Sequence, residues 1–284
     1  GGIETDLTVV CIDKNHFRII SSAATRERDK FHINKHLSKN VELKDITDDL
    51  CVFGLFGPKS RDLLKTLSED NFENDQFKFG FAKFITIDGV KIWTQRLSYV
   101  GELGYELYVD LRDAKKIYEL LIEKGKDFNL CNCGMHAMDI MRMESGFLHW
   151  GHDISPEENQ YQAGLAFTIS NKKDVDFIGK QALEKIKQDK IKTRFSMFTL
   201  KESEPGKPLL LHDEPIYDGE KIIGRSTSGN YSFNFKKNLV FGYIKNDFSN
   251  EELQNKNLFI EVEKKKYPIE LISKPLKQTN FKNN

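Results

Sequence analysis

The last third of the chain, residues 195–276, consists of many short apolar runs, and this feature constrains the fold most. Gly, Pro, Asn and Asp separate the runs, and these residues favour turns over continuous helices. Runs of this length, rich in β-branched and aromatic residues, are typical of short strands. Short strands in close succession bury one face by closing on themselves, so the sequence predicts a small antiparallel β-barrel.

The part before this region mixes strands and helices without a regular β-α-β repeat, which predicts an α+β class. Asp88-Gly89 predicts a tight hairpin within an antiparallel run. A basic, polar stretch at residues 188–192 predicts the domain boundary, giving domains 1–189 and 190–284. Strands are predicted at residues 7–12, 17–21, 41–46, 51–56, 79–87, 91–97 and 105–109. Helices are predicted at residues 25–37, 60–67, 113–125, 135–145 and 180–187.

Composition and charge exclude several classes of function. The 284 residues carry 43 Lys+Arg and 43 Asp+Glu, so no basic excess draws the chain to nucleic acid or to an anionic membrane. No apolar run approaches the roughly 18 residues of a membrane span, and the start lacks the features of a secretion signal. The four cysteines match no metal or disulfide spacing. They indicate free thiols in a reducing compartment, the cytoplasm or a mitochondrial matrix.

Two acidic residues stand in positions of interest. Residues 1–7, of sequence GGIETDL, place two flexible glycines before Asp6 at the start of an apolar strand. Residues 98–107, of sequence SYVGELGYEL, join two strands through a glycine-containing loop that lets a ligand approach the backbone. If Tyr105 faces the core, strand alternation turns Glu106 to the other side. The alternatives are a turn or cap role for Asp6 and a solvated surface role for Glu106.

A third segment, residues 138–153, carries Asp139 and Arg142 three positions apart on one helix, where they can form an ion pair. His149 and His152 follow, but their spacing fits no standard zinc pattern, so no metal site is predicted.

Together these segments resemble the aminomethyltransferase family. This family includes the glycine-cleavage T-protein and the folate-binding C-terminal regions of dimethylglycine and sarcosine dehydrogenases. GGIETDL, GLFGPKS, YVGELGYE, DIMRMESG and TSGNYS occur in the family order and cover nearly the whole chain. The segments NQYQAGL and DFIGKQAL, and Trp150, are similar to the dehydrogenase branch. The resemblance implies a folate-binding domain followed by a barrel, with the chain starting partway into the first domain.

The resemblance also implies roles for individual residues. Asp6 corresponds to the acid beside the reactive N5 of tetrahydrofolate, where a carboxylate orients N5 and favours a cationic intermediate. Glu106 corresponds to the acid that holds the two-donor edge of the pterin ring. Tyr99 would contact the ring, and Arg142 corresponds to an arginine near the folate. The implied reaction is transfer of an amine-derived one-carbon group to tetrahydrofolate.

Several alternatives remain at this point. A dehydrogenase-like protein would receive an iminium from a small amine through an upstream, covalently linked flavin domain that binds FAD; this alternative is favoured. A T-protein would instead take an aminomethyl group from a lipoyl carrier protein. Folate-binding iron–sulfur assembly factors share the fold, but they carry a cysteine motif where this chain has NQYQAGL. A fragment without activity of its own is the last alternative.

Overall fold

The computed structural model describes residues 1–170, 176–189 and 191–278. Contacts divide the chain into two compact units. The sheet unit contains Leu7–Met138, and the barrel unit contains Gly1–Asp6 together with Asp139–Gln278. The sequence-based boundary at 189/190 involves residue 190, which lies outside the described residues, so it stays a prediction.

The sheet unit has a hairpin, a four-stranded sheet and helices. Its strands are β1 (Thr8–Asp13), β2 (His16–Ile20), β3 (Leu50–Phe56), β4 (Ala82–Ile87), β5 (Val90–Gln95) and β6 (Gly104–Asp110). Its helices are α1 (Arg26–His36), α2 (Ser60–Leu67) and α3 (Ala114–Gly125), and α4 (Met135–Glu144) begins in it. The antiparallel sheet has the order β3-β6-β5-β4, and β1 and β2 form a separate two-stranded sheet among the described strands.

The two faces of this sheet are covered differently. On one face, the apolar sides of α2 and α3 pack on the sheet around the fully buried Tyr105, Leu107 and Ile117. On the other face, Val10 of the hairpin packs against aromatic residues of β5 and β6. This arrangement leaves the second face open to polar side chains, because only a small apolar cluster covers it.

Most of the predicted elements of the sheet unit are confirmed. The Asp88-Gly89 hairpin forms with φ of 46° and 77°, the left-handed pair that such a two-residue turn needs. The strand predicted at residues 41–46 is wrong. Asp45 there accepts hydrogen bonds from the backbone and hydroxyl of Thr47 at 3.0 and 2.7 Å, and from Arg26 at 2.9 Å. These local bonds form a turn that competes with strand pairing.

The barrel unit confirms the predicted antiparallel barrel. Its strands are β7 (Thr193–Leu200), β8 (Pro215–Asp218), β9 (Lys221–Ser232), β10 (Lys237–Lys245), β11 (Leu258–Val262) and β12 (Lys265–Ile272). They close in the order β10-β7-β12-β11-β8-β9, and β9 pairs back with β10. Helices α5 (Lys180–Gln188) and α6 (Asn250–Gln254) complete the unit. Each strand contributes to the interior, with Phe198, Ile216, Ile223, Val240, Ile260 and Ile269 buried together.

Candidate functional site

Five side chains lie on or over one face of the four-stranded sheet, and we call them the sheet-face cluster: Arg18 from β2 of the hairpin, and Trp93, Gln95, Glu106 and Tyr108 from the sheet. The pairing of β5 with β6 sets Gln95 opposite Glu106 and Trp93 opposite Tyr108. Residues directly opposite in an antiparallel pair point to the same face, with Cβ atoms about 5 Å apart. The Arg18 guanidinium carbon lies 4.9 Å from the Trp93 ring centroid and 5.9 Å from that of Tyr108. Strands β2, β5 and β6 therefore bring an acid, an amide and a cation together.

The expected alternation along β6 is confirmed. Tyr105 and Leu107 are fully buried in the core between sheet and helices, whereas Glu106 is half-buried on the opposite face. The Tyr108 hydroxyl donates a hydrogen bond of 2.6 Å to Glu106 Oε2. Burial, followed by the adjacent Glu106 charge, raises the pKa of Tyr108 above its ordinary value, so the phenol keeps its proton and remains a donor.

Three atoms of the cluster are buried without a hydrogen-bond partner among the described residues. They are Arg18 Nη1, Trp93 Nε1 and Gln95 Oε1, and the Trp93 and Gln95 side chains are only 7% and 1% exposed. An unpaired buried polar atom costs about 1–3 kcal/mol, so these atoms favour an external partner. A pterin ring offers N–H donors and a carbonyl acceptor on one edge. This pattern complements the acceptors of Glu106 and Gln95 and the donors of Arg18 and Trp93.

The loop between β5 and β6 is held by its own side chains. Ser98 Oγ accepts hydrogen bonds from the backbone N–H groups of Val100 and Glu102 at 3.4 and 3.2 Å. Gly101 has a φ of 65°, which lets the chain reverse here without strain. Tyr99 is half-buried in this loop. Its contact with folate stays a prediction.

The N-terminal segment is anchored within the barrel unit. The Ile3 backbone N–H donates to the Glu158 carbonyl at 2.9 Å, and the Trp150 indole N–H donates to the Ile3 carbonyl at 3.0 Å. The Ile3 side chain is buried against Ile154 and Ala163. These contacts fix the backbone three residues before Asp6.

Gly2→Ala is expected to loosen this anchor. A Cβ at Gly2 would lie 1.9 Å from the Pro156 carbonyl oxygen, a backbone atom that cannot move alone. Overpacking of this kind destabilises by roughly 1–3 kcal/mol. Gly1→Ala is the matched control, because its close contact, at 2.7 Å, is with the tip of the flexible Ile186 side chain, and Ala182 lies at an ordinary 3.5 Å. Hydrogen exchange of residues 1–6 should accelerate in Gly2→Ala alone, and equal exchange in both variants would contradict the anchor.

Asp6 follows the anchored segment. Its side chain is exposed to solvent, yet partial desolvation by its surroundings raises the pKa of its carboxyl above the ordinary value. A carboxyl in this state holds a proton more readily than a fully solvated one. Asp6 and Arg142 belong to the barrel unit, whereas Tyr99 and Glu106 belong to the sheet unit.

Arg142 has all five of its N–H groups directed at acceptors within the barrel unit. Its guanidinium contacts Asp139 Oδ1 through Nε and Nη2 at 2.9 and 2.8 Å, and Nη1 donates to the Phe147 carbonyl at 3.0 Å. Nη1 also pairs with Asp153, and Nη2 donates to Ser228 Oγ at 2.7 Å. The side chain is 1% exposed. The intrahelical pair with Asp139 therefore forms, and a folate contact by Arg142 stays a prediction that requires exchange of one of these bonds.

Asp153 completes this network from the opposite side. It is fully buried and accepts hydrogen bonds from Thr227 Oγ1 at 2.5 Å, Ser228 Oγ at 2.8 Å and the His149 N–H at 3.0 Å. The network links α4 to β9 and to the turn after α4. The buried Asp153 carboxylate is paired with the Arg142 guanidinium and accepts further hydrogen bonds, which is the condition for a buried ion pair to be tolerated.

The histidines form a ring cluster. The His149 and His152 ring centroids lie 4.5 Å apart, and His212 lies 6.3 Å from His152. Burial is the main cause that lowers the pKa of His149 and favours its neutral form, and the neighbouring His152 is the next. Within the residues that the structure describes, no group of three or more His, Cys, Asp or Glu side chains is placed to hold a metal ion. No described helix has the length and apolar character to cross a membrane.

Comparison with known proteins identifies the family. Residues 1–173 match the GCVT N-terminal domain, and residues 194–277 match the glycine cleavage T-protein C-terminal barrel domain. The chain belongs to the glycine cleavage T-protein family. It is 32% identical over 283 residues to an aminomethyltransferase of Alkaliphilus metalliredigens, covering 99% of this chain and 74% of that protein. The resemblance inferred from the sequence is thereby confirmed.

Members of this family also occur within longer proteins. Human mitochondrial dimethylglycine dehydrogenase is 33% identical over 279 residues, covering 97% of this chain. The chain spans about a third of the length of that relative, 32%. The crystal structure of glycine cleavage system aminomethyltransferase T from Bartonella henselae superimposes with a TM-score of 0.80 at 21% identity, covering 97% of this chain and 72% of that one. That likeness supports the family fold.

Sequence reasoning found Glu106 but missed three of its neighbours in this T-protein-family chain: Arg18, Trp93 and Gln95. They lie on strands that pair only after folding, at sequence separations that no motif records. The alternation of β5 carried a signal, because Trp93 and Gln95 share one parity and Ile92 and Thr94 the other. The register against β6 was needed to place that parity beside Glu106.

Proposed function

We propose that this chain binds tetrahydrofolate and acts in the transfer of an amine-derived one-carbon unit to it. The observation that supports this most is the sheet-face cluster. Glu106 lies there beside unpaired buried donors and an unpaired acceptor in a chain of the glycine cleavage T-protein family. A tetrahydropterin supplies the N–H groups and the carbonyl that these atoms lack. Family membership without such a cluster would not indicate which ligand this chain binds.

Each carboxylate has a distinct proposed role. Glu106 accepts the 2-amino and N3 hydrogens of the pterin and so fixes the orientation of the ring. Asp6 orients N5 and takes up its proton, and its raised pKa makes it a stronger base than an ordinary aspartate. Holding donor and acceptor together also limits loss of the one-carbon unit to water as formaldehyde. Tyr99 and Arg142 are proposed to support ring binding, Arg142 through its network.

The relatives support two proposed donors. The human relative is a dimethylglycine dehydrogenase, which favours an iminium derived from a small amine and produced by a linked flavin domain that binds FAD. The bacterial relative is an aminomethyltransferase, and its coverage favours an aminomethyl donor on a lipoyl carrier protein as the second candidate. An assay of the full-length protein with tetrahydrofolate and each donor in turn distinguishes the two candidates. Formation of 5,10-methylenetetrahydrofolate from one donor alone assigns it, and formation from neither rejects the proposal.

Asp6→Ala is expected to reduce turnover by about 10²–10³-fold while changing the dissociation constant for tetrahydrofolate less than threefold. General acid–base groups contribute about 10²–10⁴-fold, and Asp6 is proposed to act on N5 rather than to grip the ring. Steady-state rates and calorimetric titration provide the two numbers. Equal losses of affinity and rate would contradict this division of roles.

Asp6→Asn checks that any loss of rate is not a loss of folding. Because burial raises the folded-state pKa of this carboxyl, its stabilising contribution is present when protonated and is lost as pH rises through that pKa. At pH 7 the ionised group therefore disfavours folding. Asp6→Asn should be at least as stable as the wild type at pH 7, yet slower. A lower urea midpoint would show that Asp6 is structural.

A further inference from the structure

The sheet-face cluster contains more hydrogen-bonding capacity than the ring edge facing Glu106 requires. Glu106 Oε2 already accepts from Tyr108, and its carboxylate is placed for the amino and N3 hydrogens of the proposed pterin. The Arg18 and Trp93 side chains carry only donors, so they cannot accept pterin hydrogens as Glu106 is proposed to do. Their unpaired N–H groups need an acceptor.

The spacing of the cluster indicates where that acceptor lies. Trp93 and Tyr108 form the cross-strand pair next to Gln95 and Glu106 on the same face. Successive residues on one face of a strand are roughly 7 Å apart. A bicyclic ring bound to Glu106 spans this distance. On the pterin edge, the C4 oxygen follows N3 directly, and it is an acceptor.

Burial makes these donors selective. Arg18 is half-buried, and this burial lowers the pKa of its guanidinium, although an arginine side chain keeps its charge in proteins. The groups facing it are the Trp93 and Tyr108 rings, with the Glu106 carboxylate beyond the Tyr108 hydroxyl. Lys83 and Lys91, the cations on β4 and β5, instead lie over other rings, those of Phe77 and Phe84. A hydrogen-bond donor of the ligand placed against Arg18 would leave that donor and the Arg18 N–H both buried and unpaired. Two unpaired buried donors cost more free energy than the loss of one contact.

Building on the proposed folate function, we infer that Arg18 and Trp93 donate hydrogen bonds to the C4 oxygen of the pterin and make this chain selective for 4-oxo over 4-amino pteridines. Arg18 contributes the larger part because its bond is charge-assisted. Gln95 Oε1 accepts the second hydrogen of the 2-amino group. The cluster therefore forms hydrogen bonds along the whole 2-amino-4-oxo edge of the ring, with acceptors at the 2-amino end and donors at the C4 end.

The test measures calorimetric affinities of the full-length protein for 6-methyltetrahydropterin and its 4-amino counterpart. The 4-amino ring also lacks the N3 hydrogen, so Glu106 alone gives some selectivity. The informative quantity is therefore the change in the affinity ratio on mutation. Arg18→Met should weaken 4-oxo binding about tenfold and 4-amino binding less than twofold, because one charge-assisted bond is lost. Trp93→Phe, which keeps the ring, should reduce the ratio about threefold.

Two controls separate the outcomes. Arg112→Met removes an exposed guanidinium from the same unit and should leave both affinities unchanged. Arg18→Lys keeps a cationic donor and should restore part of the ratio, which a structural role would not produce. If the wild type binds neither pteridine, the proposed function fails. If the wild type binds both pteridines, and Arg18→Met and Trp93→Phe have the same affinity ratio as the wild type, the folate proposal stands and the inference about C4 is overturned.

Discussion

Replacing Arg142 with Met is expected to lower the free energy of unfolding by about 3–5 kcal/mol, a large part of the roughly 5–15 kcal/mol that a folded domain has. The substitution leaves the Asp153 carboxylate, which is fully buried, without its cation. It also removes donors from Asp139, from the Phe147 carbonyl and from Ser228. Urea denaturation followed by circular dichroism measures the loss.

Arg112→Met is the matched control for this prediction. Arg112 also pairs with an aspartate, Asp110, at 2.7 Å, but both side chains are exposed, 86% and 40%. Exposed pairs contribute about 0–1 kcal/mol, so the control should change the unfolding midpoint little. A stable Arg142→Met protein that merely lost folate affinity would show that Arg142 is a ligand rather than a structural residue.

Replacing Glu106 with Gln is expected to raise the dissociation constant for tetrahydrofolate about a hundredfold. The carboxylate is proposed to accept two hydrogens from the pterin, and a charge-assisted bond contributes about 1.5–3 kcal/mol. Glutamine keeps one acceptor and turns an N–H toward a donor of the ring, so one bond is lost and one repulsion is gained. Calorimetric titration of the full-length protein with tetrahydrofolate gives the change.

The control for Glu106→Gln is Glu119→Gln on the exposed side of α3, where the acid pairs with Lys115 at 3.2 Å. It removes the same charge from the same unit and should leave folate affinity unchanged. Stability should change little in either variant, because Glu106 is half-buried and Tyr108 can still donate to the glutamine oxygen. An unaltered affinity in Glu106→Gln would remove the basis of the folate proposal.

The elements of the fold could be predicted from the sequence wherever neighbouring residues alone determine them. Short strands between turn residues specified the barrel, and the Asp88-Gly89 dipeptide specified its hairpin through left-handed φ values. The strand at residues 41–46 was wrong, since Asp45 binds a helix residue 19 positions earlier in the chain. No local pattern shows that partner.

The sequence by itself determined the family, the α+β class with its barrel, and Glu106 as an acid turned away from the core, because motif order and strand alternation are properties of the chain alone. Tertiary structure decided which side chains each residue contacts. Strand register set Gln95 beside Glu106, and the hairpin placed Arg18 over Trp93. The fold also buried Arg142 with Asp153. Burial and long-range pairing determine hydrogen-bond partners, and these exist only once distant segments have met.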